Sequence, residues 1–161
     1  MSSLNSFLSS FNIHNNNSNT NMFEHKLDVT CFECLPFSLR SWKGTNLRAL
    51  PDGDVDQAPH AKLWEFWRLV RAEKEGVYYL RSWRDTYLAA TDDGKIYQSD
   101  DKCPQAEWII THNKGRFMIR STHNTHLRAY DDGKMIDLAP HFRLWEEWTI
   151  HVDSTSAAWG F

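Results

Sequence analysis

Short runs of alternating apolar and polar residues fill the middle of the chain: YYLRSW at 78–83, TYLAAT at 86–91, KIYQS at 95–99 and EWIITH at 107–112. Each is rich in aromatic or β-branched residues and closed by turn formers, so each predicts a strand with one buried face. Asp-Gly pairs at Asp52-Gly53, Asp93-Gly94 and Asp132-Gly133 fall between such runs. They predict tight hairpins with primed turns, because glycine accepts the positive φ these require.

The pattern repeats three times. Leu39-Arg40-Ser41-Trp42, Leu80-Arg81-Ser82-Trp83 and Ile119-Arg120-Ser121-Thr122 open three units. In each, a Leu follows eight positions later (Leu47, Leu88, Leu127), then an Ala two further on, then the Asp-Gly pair, and finally Trp67, Trp108 or Trp148. Four strands in each of three units make twelve, ending near Val152. A propeller also repeats four strands, but three blades are too few to close its ring, and no Gly-His or Trp-Asp signature is present. The expectation is an all-β fold, a β-trefoil of three pseudo-symmetric four-stranded repeats. Its units cover about 37–76, 77–115 and 116–152. The opening Leu or Ile, the following Leu and the closing Trp of every unit should share one core. Arg40, Arg81 and Arg120 hold one register beside that core and are expected to bond loop carbonyls or the three Asp.

The middle unit resembles a fascin-family repeat, in LRS, in YLAA followed by DDG, in the Trp before an alternating strand, and in GRFMIRS entering the next unit. The resemblance spans roughly Pro36 to Val152. It implies a trefoil that binds actin filaments, as do fascin-like and hisactophilin-like domains. Fascin bundles filaments with four trefoils in one chain, whereas this length holds one. Ricin-type lectins, another branch of the fold, repeat Gln-x-Trp; here the places read Glu65-Phe66-Trp67, Ala106-Glu107-Trp108 and Glu146-Glu147-Trp148.

Composition narrows the picture. The 161 residues carry a net charge of −3, which gives no general pull toward nucleic acid or an anionic surface. Hydrophobic residues make up 41%, enough for a core, but no stretch approaches a membrane span. Three Cys do not suggest a disulfide scaffold; Cys31 and Cys34 have the spacing of half a zinc site with no second pair, so neither metal nor cofactor is expected. Residues 1–22 are Ser/Asn-rich and read as a disordered arm without the features of a secretory signal, although Leu4, Phe7, Leu8 and Phe11 stand at helical spacing. An apolar lead-in over 23–35 and a tail over 153–161, with Trp159 and Phe161, flank the trefoil. A cytoplasmic, cytoskeleton-associated protein is expected.

Ala58–Trp67 (APHAKLWEFW) and Ala139–Trp148 (APHFRLWEEW) are near copies, and the second unit has no counterpart. His60, Lys62 and Trp64, with His141, Arg143 and Trp145, therefore form the candidate partner-binding set. A cation beside a flat aromatic suits an acidic protein surface such as an actin filament. Glycans are the second candidate partner, and a larger assembly tethered by the arm is the third. The same loops could instead wrap the barrel's end. Eight His also raise the idea of pH-tuned association. No phosphate loop, nucleophile elbow or HExxH occurs, and nothing local activates Cys103 beside His112, so no catalysis is expected.

Overall fold

The computed structural model describes residues 25–26 and 35–152. The arm, most of the lead-in with Cys31 and Cys34, and the tail with Trp159 and Phe161 lie outside the described residues. After a two-residue strand β1 (His25–Lys26), each unit contributes four strands. Unit 1 holds β2 (Phe37–Ser41), β3 (Asn46–Ala49), β4 (Val55–Ala58) and β5 (Phe66–Arg71). Unit 2 holds β6 (Val77–Ser82), β7 (Tyr87–Ala90), β8 (Ile96–Ser99) and β9 (Trp108–Asn113). Unit 3 holds β10 (Arg116–Ser121), β11 (His126–Ala129), β12 (Ile136–Ala139) and β13 (Trp148–Val152).

First and fourth strands pair in an unbroken ring, β2–β5–β6–β9–β10–β13 and back to β2. Closing the ring removes most edges of the barrel wall, and the stretch of β9 beyond its pairing with β6 stays open to a further strand. The second and third strands form three hairpins, β3–β4, β7–β8 and β11–β12, which pack against one another. This is the β-trefoil that the repeat predicts. β1 adds to the wall by pairing His25 with His112 and Lys26 with Thr111.

The core follows from the alternation. Leu39, Leu80, Ile119, Leu47, Leu88, Leu127 and the Trp trio 67, 108 and 148 are all buried in one cluster. Burying an indole requires a partner for its N–H. Nε1 of Trp67, Trp108 and Trp148 donates to the carbonyls of Leu47, Leu88 and Leu127 at 3.0, 2.8 and 3.0 Å. One bond, repeated threefold, ties each barrel strand to its unit's hairpin.

The turns differ from expectation. Leu50 N–H donates to Asp54 C=O at 2.9 Å and Gly53 N–H to Leu50 C=O at 3.2 Å, with Gly53 at φ +98. This is a three-residue loop in which glycine takes the left-handed position after a type I turn, not a two-residue primed turn. Unit 2 repeats it through Thr91, Gly94 and Lys95. Asp52 and Asp132 serve their own loops by accepting the N–H groups of Asp54 and Lys134. They are therefore not partners of the three Arg: Arg81 bonds Asp85, and Arg120 donates to Asn124 at 3.1 Å. In unit 1 the equivalent turn position is Gly44, which offers Arg40 no side chain.

Candidate functional site

A 3₁₀ turn enters each fourth strand: Leu63–Glu65, Pro104–Ala106 and Leu144–Glu146. In units 1 and 3 that turn is locked by its own glutamate. Arg143 N–H donates to Glu146 Oε2 at 2.7 Å and Glu146 N–H returns to Arg143 C=O at 3.2 Å. Lys62 and Glu65 repeat both bonds at 2.8 and 3.2 Å. Reciprocal bonding of this kind satisfies backbone donors at the start of the turn. It also draws the carboxylate inward, leaving Glu65 1% and Glu146 0% exposed.

The second oxygen of each carboxylate has no hydrogen-bond partner. Oε1 of Glu146 lies 3.7 Å from His141 Nε2 and 3.9 Å from Arg128 Nε; Oε1 of Glu65 lies 3.5 Å from His60 Nε2 and 4.0 Å from Arg48 Nε. Each Arg is committed elsewhere. Arg128 grips Asp137 through two bonds of 2.8 Å and donates to Tyr130 Oη at 2.9 Å. Arg48 grips Asp56 at 2.7 and 2.6 Å. The bond to the aspartate is the main reason both guanidiniums are held above their ordinary pKa, with burial opposing it. Each arginine thus shares one charge between its aspartate and the buried glutamate, while the half-exposed His rings roof the carboxylates. In unit 3, Arg128, His141, Arg143, Leu144, Trp145 and Glu146 line one open concavity of about 360 Å³.

The duplicated tryptophans reach across unit boundaries. Trp64 stacks on Trp83 with centroids 5.8 Å apart and planes at 11°; Trp145 stacks on Trp42 at 5.7 Å and 1°. Each receiving ring is pinned from the unit before it, since Trp83 Nε1 donates to Ala49 C=O at 2.9 Å and Trp42 Nε1 to Ala129 C=O at 3.0 Å. Lys43 lies 5.9 Å from the Trp42 centroid and Arg84 6.0 Å from that of Trp83. Trp64 nonetheless keeps 38% of its surface exposed, whereas Trp145 is half-buried with Tyr130 tilted against it.

The structure therefore gathers His141, Arg143 and Trp145 at one junction and His60, Lys62 and Trp64 at another. Leu63 and Leu144 are exposed. The twice-occurring Trp residues do not fill the barrel's end; part of their purpose is a stack on the next unit. Sequence reasoning missed Arg48 and Asp56, with Arg128 and Asp137, and met Glu65 and Glu146 only at the Gln-x-Trp places. The available signal was that all six recur in units 1 and 3 and become Ala89, Tyr97 and Ala106 in unit 2.

Unit 2 differs throughout this layer. Gln105 replaces the stacking Trp, and its opposite number across the boundary is Thr122, whose hydroxyl reaches Pro104 C=O at 3.5 Å. Nearby, Arg71, Lys74, Tyr79, Lys102, Cys103 and Glu107 line part of a different concavity of about 430 Å³. Burial, reinforced by Glu107, pushes the Tyr79 phenol up, and burial near Cys103 does the same for Tyr97. Among the described residues no three His, Cys, Asp or Glu are placed to hold a metal, and no helix is long and apolar enough to cross a membrane.

No protein-family model matches the chain, and no curated protein matches it. Among solved structures it is similar to the β-trefoil lectin SeviL bound to asialo-GM1 saccharide, with TM-score 0.65 and 14% identity over 73% of this chain and 96% of that one. At that identity the likeness establishes the trefoil fold; the fascin-like family stays a resemblance of motifs.

Proposed function

We propose that this protein is a non-catalytic carbohydrate-binding module with two sites, one where unit 3 meets unit 1 and one where unit 1 meets unit 2. The observation that carries this is the duplicated group of Trp, His, Glu, Arg and Asp, present whole at two junctions and replaced whole at the third. A pyranose presents an apolar C–H face and an edge of hydroxyls. An indole face takes the first, and fixed polar groups take the second. The half-exposed rings of His141 and His60, above Glu146 and Glu65, carry nitrogens that can exchange hydrogen bonds with ligand hydroxyls. The basic residue at the start of the turn adds a donor. A concavity of about 360 Å³ is at the small end of ligand sites and suits one or two sugar rings.

The lectin of similar fold supports this reading over the filament-binding one suggested by the fascin-like motifs. The test is a glycan array with competition by free sugar, run beside actin co-sedimentation. Binding to saccharide that a folded Trp64→Ala/Trp145→Ala variant loses is the expected result. Pelleting with filaments and no saccharide bound would overturn it.

A further inference from the structure

The two tryptophan stacks differ from the third junction in charge as well as in aromatic content. Each stack has two cations associated with it, one from each unit: Lys43 and Arg84 lie over Trp42 and Trp83, and Arg143 and Lys62 start the turns that carry Trp145 and Trp64. Where Gln105 and Thr122 replace the rings, Cys103 and His123 replace the cations. Between the two copies Lys and Arg exchange freely at both positions, while His, Trp and Glu are identical. The retained property is therefore positive charge and not the shape of one side chain.

Among the described residues the fold gives the charges of Lys62 and Arg143 no other task. The backbone N–H groups of Lys62 and Arg143, not their side chains, serve Glu65 and Glu146. Both side chains are exposed and form no ion pair among the described residues. Arg84 spends one N–H on Leu50 C=O at 3.3 Å. Lys43 also faces Asp132, whose carboxyl is held below its usual range chiefly by the N–H groups of Met135 and Lys134, with Lys43 adding to them. Arg128 and Arg48 share their charge between the buried glutamates and Asp137 and Asp56, so a ligand anion at the rim depends on the outer cations.

We infer that both sites select acidic saccharides, sugars bearing a carboxylate or a sulfate ester. The ring packs on the indole surface left open, more of it at Trp64 than at Trp145, and the negative group meets Arg143 or Lys62, with Lys43 or Arg84 reinforcing the field. This rests on the carbohydrate reading and narrows it to a ligand class. Charge-assisted contacts of this kind are the strong ones, and near a solvent-exposed rim they weaken with salt.

The experiment uses the full chain on matched glycan pairs that share a core and differ only by a terminal sialic acid or by one sulfate. The acidic member of a pair should bind at least about tenfold more tightly, less so at high salt. That ratio should collapse toward one in Lys62→Ala/Arg143→Ala and survive in the charge-preserving Lys62→Arg/Arg143→Lys, both checked for cooperative unfolding. Preference confined to the sialylated or to the sulfated pairs would support the inference and identify the group. Equal binding of both members would overturn it and leave the carbohydrate module standing. Binding to no member of any pair would remove both.

Discussion

Where unit 3 meets unit 1 and unit 1 meets unit 2, two tryptophans lie face to face beside a buried glutamate; where unit 2 meets unit 3, Gln105, Thr122 and Ala106 stand in their places. One layer deeper the three junctions are alike. Each has a buried Trp bonded to a Leu carbonyl, and each has the same Ser–Thr pair at its first hairpin, Ser41–Thr45, Ser82–Thr86 and Ser121–Thr125. The barrel closes as well through unit 2 as through the others. The outer layer is therefore not a condition of folding, and its joint retention in two units asks for another cause.

The sharpest way to break this comparison is to show that the inner layer is not equivalent. Trp67→Ala, Trp108→Ala and Trp148→Ala should each cost about 3–5 kcal/mol in urea unfolding, alike within error. A much smaller cost in unit 2 would mean that unit 2 is differently held. Next in size is Glu146→Ala, which gives unit 3 the residue of unit 2. Losing the bond to Arg143 N–H should cost about 1–3 kcal/mol and abolish saccharide binding at that junction only. A neutral outcome on both counts would deny the locked turn any role.

The converse substitution sharpens the comparison. Gln105→Trp with Thr122→Trp should build a third stack, seen as a favourable coupling of about 0.5–1.5 kcal/mol in a double-mutant cycle. Without the cations and the glutamate it should add no saccharide site. The smallest effect is on pH. Burial, aided by Arg120 at His126 and by Arg40 at His151, holds both below their ordinary value of 6.5. The unfolded chain then binds more protons, so stability should fall as pH drops below about 6.5 and level off once the lowered pKa values are passed. His126→Asn, which gives unit 3 the residue of Asn46 in unit 1, should flatten part of that slope in thermal unfolding.

Much of the inner layer is legible in the sequence because it is local and periodic. Alternation marks the strands, a fixed interval separates Leu47 from Trp67 and Leu88 from Trp108, and threefold recurrence names the core. The turn type was not legible, since Asp-Gly suits both a primed turn and the left-handed residue of a three-residue loop. The outer layer was half legible. Two copies of His, base and Trp stand out in the chain, but their partners do not. Trp145 meets Trp42 through barrel closure, which no local pattern reveals. Arg128 and Asp137 face each other only once the β11–β12 register is fixed, as do Arg48 and Asp56 on β3–β4. Glu65 and Glu146 were visible as the residues two before the core Trp, but nothing in the sequence shows that they are buried with one oxygen unbonded.

Binding at two junctions and not at the third is read out as saccharide stoichiometry by titration calorimetry. With a glycan selected from the array, the expected result is two sites per chain, one after Trp64→Ala, one after Trp145→Ala and none when both are changed, with unfolding still cooperative. A folded double variant that binds as the unaltered protein does would contradict it.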